Sequence, residues 1–292
     1  MNVKRCDDWL KSRLDVFLDL IRMYLGLGLL VKGIFFLLHP DQLKGVAEGS
    51  ALAGMVPLVP YIHIIGGLLL AVGLQVRLAA LVQIPVLAGA VFLVNLPKMD
   101  RLIGREGFEF SALVLFLLVV IFFKGAGRLS LSRRWNPSAA ERGYGHWVET
   151  HSDVFLDAIR IYLGIGLIVK GLYIMTNRDQ VLALLDAGGG LSLAVMTAAH
   201  LVIPIHFAGG LLLALGLITR PAALMQIPVV AGAIICVHLP RLASLEMREN
   251  FEFSGLVLFL LIMIAAHGPG RLSVDHLIDR DPENGSAPEP AQ

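Results

Sequence analysis

Long apolar segments alternate with short polar ones along the whole chain of 292 residues. A helix needs roughly 20 mostly apolar residues to cross the hydrocarbon core of a membrane, and each apolar segment approaches that length. The pattern therefore predicts eight transmembrane helices, at 14–38, 56–75, 78–96, 108–123, 152–175, 199–218, 221–239 and 251–266. The fourth and eighth predicted spans are short, so they require little tilt or a locally thin membrane.

The composition agrees with a protein that lies within a membrane. Hydrophobic residues make up 56% of the chain, charged residues make up 16%, and the mean hydropathy is +0.74. Ordinary soluble proteins are less apolar and more highly charged. The net charge of +1 provides no basic surface, so nucleic-acid binding is excluded and the lipid bilayer is the expected partner. The chain lacks the residue spacing of a metal site, a phosphate-binding glycine loop or a Ser-His-Asp triad, so we predict no metal and no soluble-type catalytic site.

The second half of the chain repeats the first. The segment DVFLDLIRMYLGLGLLVKG at 15–33 returns as DVFLDAIRIYLGIGLIVKG at 153–171, and FEFS and GRLS each occur once in either half. Four predicted spans fall in each half, and an even number of spans brings both copies into the membrane from the same side. We therefore predict an all-α integral membrane fold, in which eight transmembrane helices form two parallel four-helix bundle repeats.

Polar segments set the predicted domain limits. The two units are expected at 1–128 and 151–278, with a polar linker at 129–150 and a disordered tail at 279–292. Outside the spans, Lys and Arg are more frequent on the side that carries both termini. Because positively charged segments stay on the cytoplasmic side, the N- and C-termini are predicted to be cytoplasmic.

Ionisable residues interrupt the first helix of each unit at matching positions. Asp19 and Arg22 lie three residues apart, so they are expected to form an ion pair, and Asp157 and Arg160 repeat the arrangement. Lys32 lies toward the opposite end of the helix, where a long basic side chain is expected to reach the membrane interface. Charges inside a membrane mark either a functional site or a structural pair, and the sequence leaves both interpretations open.

Histidine and glutamate positions add to the candidate chemistry. His63 and His206 lie near the start of the second helix of each unit, where a histidine can bind a haem iron, hydrogen-bond a quinone carbonyl, or simply bond a neighbouring carbonyl group. Glu109 opens the predicted fourth helix on the same side of the membrane as Lys32, which makes the two expected partners. The candidate ligand-binding residues are Arg22, Lys32, His63, Glu109, Arg160, Lys170, His206 and Glu252, whereas Asp19 and Asp157 are predicted structural partners.

Several of these motifs resemble one known family. The segments LIRMYLGLGLLVKG (20–33), GFEFS (107–111), GAGRLSLS (125–132) and GPGRLSVD (268–275) are similar to the DoxX family of bacterial membrane proteins. Members are usually one four-helix unit, so the resemblance implies a tandem fusion of two units in the bacterial plasma membrane. Ser132 departs from the motif because the second copy has Asp275 at that position, and the first copy is expected to have lost a contact there.

The resemblance also implies a function. The family takes its name from a subunit associated with a terminal quinol oxidase and with thiosulfate:quinone oxidoreductase, and other members are linked to membrane redox complexes that handle oxidative stress. It therefore implies a non-catalytic accessory subunit of a quinone-linked redox system, with redox-complex proteins as candidate partners, quinone as the candidate cofactor and no assigned catalytic residue. Two alternatives remain open: a carrier of a small apolar or lipid-like molecule, and a structural membrane anchor without a ligand.

Overall fold

The chain folds into two compact units, Met1–Ser152 and Asp153–Gln292. The computed structural model describes residues 14–41, 43, 53–99, 102–135, 152–177, 193–241 and 245–280, and all regular secondary structure in these ranges is helical. Most of the predicted linker (136–150) and the predicted tail from residue 281 lie outside the described residues.

Four long helices form the first unit. The elements are α1 (Leu14–Leu38), α2 (Val59–Val72) preceded by a 3-10 turn (Ala53–Leu58), α3 (Val76–Gly89), α4 (Leu102–Lys124) and the short α5 (Leu131–Trp135). α3 continues through a π turn (Ala90–Asn95) into a 3-10 turn (Leu96–Lys98). α1 packs chiefly against α2, and α3 packs chiefly against α4.

The second unit repeats this order of elements. They are α6 (Ser152–Thr176), α7 (Leu193–Leu215), α8 (Thr219–Gly232), α9 (Leu245–His267) and the short α10 (Val274–Arg280). α8 also continues through a π turn (Ala233–His238) into a 3-10 turn (Leu239–Arg241).

Seven helices in the described ranges are long and apolar enough to cross a membrane. They are Asp15–Leu38, Gly54–Val72, Val76–Lys98, Arg105–Lys124, Asp153–Thr176, Thr219–His238 and Arg248–His267. The predicted span at 199–218 overlaps the end of α7, in which the residues with described side chains form the shorter apolar segment His200–Leu215. The structure therefore supports an all-helical membrane protein with seven candidate spans.

Two sequence-based boundaries need correction. α4 and α9 begin about two turns before the predicted starts at 108 and 251, so each supplies a 20-residue candidate span and requires no local thinning of the membrane. The predicted starts lie too late because the charged residues in the first turns of both helices resemble a loop in the sequence. Residues 129–135, at the start of the predicted linker, form a turn and the helix α5, which hydrogen-bond to the first unit.

Glycines bring α1 and α2 into backbone contact. A Cβ atom added at Gly67 would lie 2.5 Å from the backbone nitrogen of Leu30 and 2.7 Å from the carbonyl oxygen of Gly26. In the second unit, a Cβ added at Gly210 would lie 2.8 Å from the carbonyl oxygen of Gly164. Small residues permit this close approach of membrane helices. The charged face of the first helix, with Asp19 and Arg22, is therefore buried against protein.

The π turns direct a polar side chain from the third helix toward the fourth. Asn95, the last residue of the first π turn, donates from Nδ2 to the Ser111 hydroxyl (3.0 Å) and to the Gly107 carbonyl (3.1 Å). In the second unit, the His238 ring nitrogen Nε2 lies 3.1 Å from the Ser254 hydroxyl. The serine of each FEFS motif therefore joins two neighbouring helices.

The predicted loss of a contact at Ser132 is confirmed. Asp275 accepts hydrogen bonds from the backbone amides of Ile218 (2.7 Å) and Thr219 (2.9 Å) and from the Thr219 hydroxyl (2.9 Å), so it caps the start of α8. Ser132 instead donates to the Gly73 carbonyl (2.9 Å). Among the described residues of the first unit, no carboxylate caps the corresponding start of α3.

Replacing Asp275 with Ala should destabilise the protein by about 1 to 2 kcal/mol, because the start of α8 loses its side-chain cap. Ser132→Ala is the matched control and should cost roughly 0.5 kcal/mol, since it removes one ordinary hydrogen bond. Denaturant titration in mixed micelles measures both free energies of unfolding. Equal losses in the two variants would contradict the assignment of a cap to Asp275 alone.

Candidate functional site

Arg22 belongs to α1, and its side chain, which is 1% exposed, lies against the end of α2. Its Nη1 atom donates to the carbonyl oxygens of Leu70 and of Ala71, the latter at 3.2 Å, and both carbonyls belong to the last turn of α2. Its Nε atom donates to Oδ1 of Asp19 at 3.2 Å, which confirms the predicted ion pair. The guanidinium therefore joins its own helix to the end of the next one.

The end of α2 explains why a cation is stable there. The last four carbonyl groups of a helix have no partner within the helix, and together they carry a partial negative charge. Gly73 adopts a left-handed conformation (φ 81°), and its amide and that of Leu74 both bond the Leu69 carbonyl at 2.9 Å. Arg22 supplies donors to the next two carbonyls, so the helix end is capped by backbone amides and by one buried guanidinium.

Asp19 uses its second oxygen to hold the turn after α4. Its Oδ2 accepts a hydrogen bond from the backbone amide of Leu129 at 2.7 Å. A Cβ at Gly127 would overlap the Asp19 carboxylate, so only glycine allows the turn to approach. The Ser130 hydroxyl then donates to the Gly127 carbonyl at 2.7 Å and closes the turn. The GRLS motif thus forms a binding turn for the buried carboxylate.

The second unit builds the same cluster. Arg160 donates from Nη1 to the carbonyls of Leu213 (2.5 Å) and Ala214 (2.9 Å), and from Nη2 to Oδ1 of Asp157 (3.0 Å). Asp157 accepts the Leu272 amide through Oδ2 at 2.8 Å. Neither member of the pair is exposed, with 0% for each side chain. The duplication therefore extends to the hydrogen bonds around the buried charges.

The Asp-Arg cluster of the first unit leaves little space for a ligand. A cavity of about 10 Å³ adjoins it, lined by Leu18, Asp19, Ile21, Arg22, Val120, Ile121, Lys124 and Gly125. That volume is roughly what one water molecule requires, and Nη2 of Arg22 is buried there without a hydrogen-bond partner in the described part of the chain. A quinone ring is far too large for this cavity. The geometry favours a structural role for Arg22.

The two units differ in the charges beside this cluster. Lys124 pairs with Asp15 at 3.2 Å in the first unit. In the second unit the position of Lys124 is taken by His267, whose Nδ1 lies 3.1 Å from the Met263 carbonyl. Asp153, the counterpart of Asp15, pairs there with Arg271 at 2.7 Å. The ends of the fourth helices are therefore secured by different ion pairs.

A second candidate site joins the second and third helices of each unit. His63 is 5% exposed, and its Nδ1 lies 2.7 Å from Oε1 of Gln83. Gln83 donates from Nε2 to the Ile62 carbonyl at 3.1 Å. The amide group is thereby oriented with its oxygen toward the imidazole, so a neutral His63 carries its proton on Nδ1. Its Nε2 atom then presents a lone pair, and it has no hydrogen-bond partner among the residues that the structure describes.

The histidine-glutamine pair is duplicated with the same geometry. His206 Nδ1 lies 2.7 Å from Oε1 of Gln226, and Gln226 donates to the Ile205 carbonyl at 2.8 Å. A glycine makes room for each glutamine, since a Cβ at Gly66 would lie 2.6 Å from Nε2 of Gln83. Both glutamines are completely buried. The burial of each glutamine and its hydrogen bond to a backbone carbonyl fix the position of its amide oxygen. The amide oxygen in turn orients the histidine.

A cation and an aromatic ring lie next to this pair. The Phe36 ring lies 6.4 Å from the His63 ring, and the Lys32 ammonium lies 5.4 Å from the centre of the Phe36 ring. In the second unit Lys170 lies 5.9 Å from the Tyr173 ring. Both lysines are half-buried and act electrostatically on the histidine of their unit. Histidine, lysine and an aromatic ring from α1 and α2 thus come together in the first unit.

The glutamates occupy different surroundings from those predicted. Glu109 lies within α4 rather than at its start, and it accepts a hydrogen bond from Arg105 one turn earlier at 3.1 Å. Glu252 likewise lies inside α9. The positions were misjudged because the helix starts were placed too late. The pairing of Lys32 with Glu109 stays a prediction.

Some residues of these sites were not predicted from the sequence. The sequence does not show that Gln83 orients His63, or that Lys124 pairs with Asp15 beside the Asp-Arg cluster. The amide of Leu129 could not be identified as a partner, because a backbone donor has no residue signature. A usable signal existed for the glutamine: the Gly66-Gly67 and Gln83-Ile84-Pro85 motifs recur together in the second half of the chain.

Comparison with known families matches this architecture to one of them. The DoxX family profile matches residues 17–96 and again residues 155–239, which is more than half of the chain. The chain belongs to the DoxX family. Its two matches confirm the resemblance and agree with a tandem arrangement of two DoxX units. Each match covers the first three helices of a unit, including the Asp-Arg and His-Gln pairs. Comparisons with curated proteins and with solved structures gave no significant match.

Arg22→Met should destabilise this DoxX protein by about 3 to 5 kcal/mol, because it leaves a buried carboxylate without its counter-charge and two helix-end carbonyls without donors. Arg105→Met removes an ion pair that is partly buried, with 21% and 16% of the two side chains exposed, and should cost less, about 1 kcal/mol. Unfolding in mixed micelles compares the two. The double variant Asp19→Asn with Arg22→Met should lose less than the sum of the single variants, since the two residues act as a pair. An additive result would contradict the coupling.

The hydrogen bonds of Gln83 predict one tautomer for neutral His63, with the proton on Nδ1. Nitrogen-15 NMR of histidine-labelled protein should show an unprotonated Nε2 at His63 and at His206. Gln83→Leu should convert the His63 signal into a mixture of tautomers and leave His206 unchanged. A protonated Nε2 in the neutral wild-type ring would contradict the assignment of the glutamine orientation.

Proposed function

We propose that the protein is an accessory membrane subunit of a quinone-linked redox system and that it contacts quinone through the His-Gln pair of each unit. The observation that carries the proposal is the buried His63, whose Nδ1 is occupied by Gln83 while Nε2 remains available. The same arrangement recurs at His206. Membership of the DoxX family adds support, because this family is often linked to quinone-related redox chemistry.

The chemistry of these side chains suits both forms of a quinone. The lone pair on Nε2 of His63 can accept a hydrogen bond from a hydroquinone hydroxyl. The ammonium of Lys32 can donate to a quinone carbonyl, and the Phe36 ring beside it offers an apolar surface for the ring of the ligand. An apolar molecule dissolved in the membrane reaches such a site laterally. We therefore propose His63, Lys32 and their counterparts His206 and Lys170 as ligand contacts.

The remaining candidates receive different roles in this proposal. Arg22 and Arg160 hold helix ends together through their partners Asp19 and Asp157, and they act on a ligand only by positioning the helices. Glu109 and Glu252 are proposed to influence the site through their charge. No catalytic residue is proposed, in keeping with a subunit that binds a quinone for a redox partner.

The proposal includes a topology. We propose eight spans, with α7 completing the set, and two parallel units in the bacterial inner membrane. The repeat supports the eighth span, because α7 corresponds to α2. It carries a histidine, a Gly-Gly pair and the carbonyls that bind the buried arginine at the same positions as α2. The distribution of Lys and Arg supports cytoplasmic N- and C-termini.

Quinone content per purified protein tests this function. We expect a quinone to co-purify with the wild type in mild detergent. The double variant His63→Phe with His206→Phe should retain about fivefold less of it, since each site loses one hydrogen bond of roughly 1 kcal/mol. The half-buried pair Lys32→Gln with Lys170→Gln provides a second variant that is less disruptive to the fold. Mass spectrometry of the extracted small molecules measures the content.

Lys124→Gln is the matched control, because it removes a cation of α4 that pairs with Asp15 and not with the residues of the proposed site, and its quinone content should equal that of the wild type. Quinone retained at wild-type levels by well-folded histidine and lysine variants would contradict the proposed contacts. The same holds if the wild type carries only bulk phospholipid.

A further inference from the structure

The segment that follows α4 is strongly basic. Residues 128–135 read RLSLSRRW, with Arg128, Arg133 and Arg134 and no acidic residue, and they end in Trp135. Neither the proposed quinone contact nor the Asp-Arg cluster uses these side chains. The segment begins four residues after the end of the Arg105–Lys124 span, so it lies where that span leaves the hydrocarbon region.

The backbone of this segment is fixed to the first unit. The Leu129 amide bonds Asp19 at 2.7 Å, and the Ser132 hydroxyl bonds the Gly73 carbonyl at 2.9 Å. The buried Ser130, 2% exposed, anchors the turn between them. A tethered backbone presents its outward side chains at a constant depth relative to the helix ends.

Those outward side chains combine apolar and cationic groups. Leu129 is 50% exposed and Trp135 is 70% exposed, while Arg128 and Arg134 are also exposed. Trp is enriched at the level of lipid headgroups, where its ring meets both apolar and polar surroundings. Arg forms charge-assisted and often bidentate hydrogen bonds with phosphate. The combination matches a negatively charged phospholipid surface better than it matches water.

The corresponding segment of the second unit shows that the charge is a separate feature. Residues 271–278 read RLSVDHLI and form the same turn, with Leu272 65% exposed. Its Arg271, however, pairs with Asp153 at 2.7 Å, and Asp275 adds a negative charge. The turn is therefore common to both units, whereas the excess of positive charge belongs to the first unit alone.

We propose that residues 128–135 form a docking surface for anionic phospholipid headgroups, with Arg128 and Arg134 on the phosphates and with Leu129 and Trp135 inserted between the lipids. Each arginine close to an anionic membrane surface favours contact with it by roughly fivefold. The surface would concentrate anionic lipid beside the first unit and leave the second unit surrounded by average lipid.

Fluorescence quenching of Trp135 tests the proposal on the full-length protein. The chain has three tryptophans, so Trp9→Phe and Trp147→Phe leave Trp135 as the only one. The protein is placed in nanodiscs that contain brominated phosphatidylglycerol or, at equal amount, brominated phosphatidylcholine among unlabelled lipids. We expect roughly twofold or greater preference for quenching by the phosphatidylglycerol, lost in Arg128→Gln with Arg134→Gln.

Arg271→Gln is the matched control, because it removes an exposed arginine from the same turn of the second unit and should leave the preference intact. Both substituted arginines of the test variant are exposed, so the fold is retained. Equal quenching by the two lipids in the wild type would overturn the charge-based docking. Absence of quenching by either lipid would overturn the placement of the segment in the headgroup region.

Discussion

A buried guanidinium must find hydrogen-bond acceptors and a counter-charge, and in each unit this requirement joins three elements of the fold. Arg22 binds the last carbonyls of α2, and Asp19 beside it binds the amide of Leu129 in the turn after α4. Charges that would be costly inside a membrane are thus compensated by a helix end and by a turn. Because the first helix, the second helix and the chain after the fourth helix meet at this pair, the positions of the other helices depend on it.

The internal duplication separates what the fold requires from what one unit has changed. Both copies keep the Asp-Arg pair, the His-Gln pair, the glycine contacts and the left-handed glycine at the end of the second helix. They differ in the ion pairs at the end of the fourth helix. They also differ in the cap at the start of the third helix, where Asp275 accepts hydrogen bonds from two backbone amides and Ser132 does not. The shared features define the unit, and the differences are local adjustments that leave the cluster intact.

The sequence predicted the duplication, the helical membrane class and the Asp19–Arg22 pair, because a repeat and a three-residue spacing are visible in the residues themselves. It placed the starts of the fourth helices too late, since charges in a first helical turn resemble a loop. It could not identify Leu129 as the partner of Asp19, because the bond uses a backbone amide brought close by the fold. The role of Gln83 was also hidden, since orientation of a histidine requires the side chain to be placed in three dimensions.

Amide hydrogen exchange at Leu129 and Leu272 tests the central role of the buried pair most directly. In Asp19→Ala the Leu129 amide loses its carboxylate acceptor, whereas the Leu272 amide of the same molecule keeps Asp157 and serves as an internal reference. The account predicts fast exchange at Leu129 and unchanged, slow exchange at Leu272. Slow exchange at both amides in the variant would contradict the claim that the buried carboxylate holds the turn to the helices.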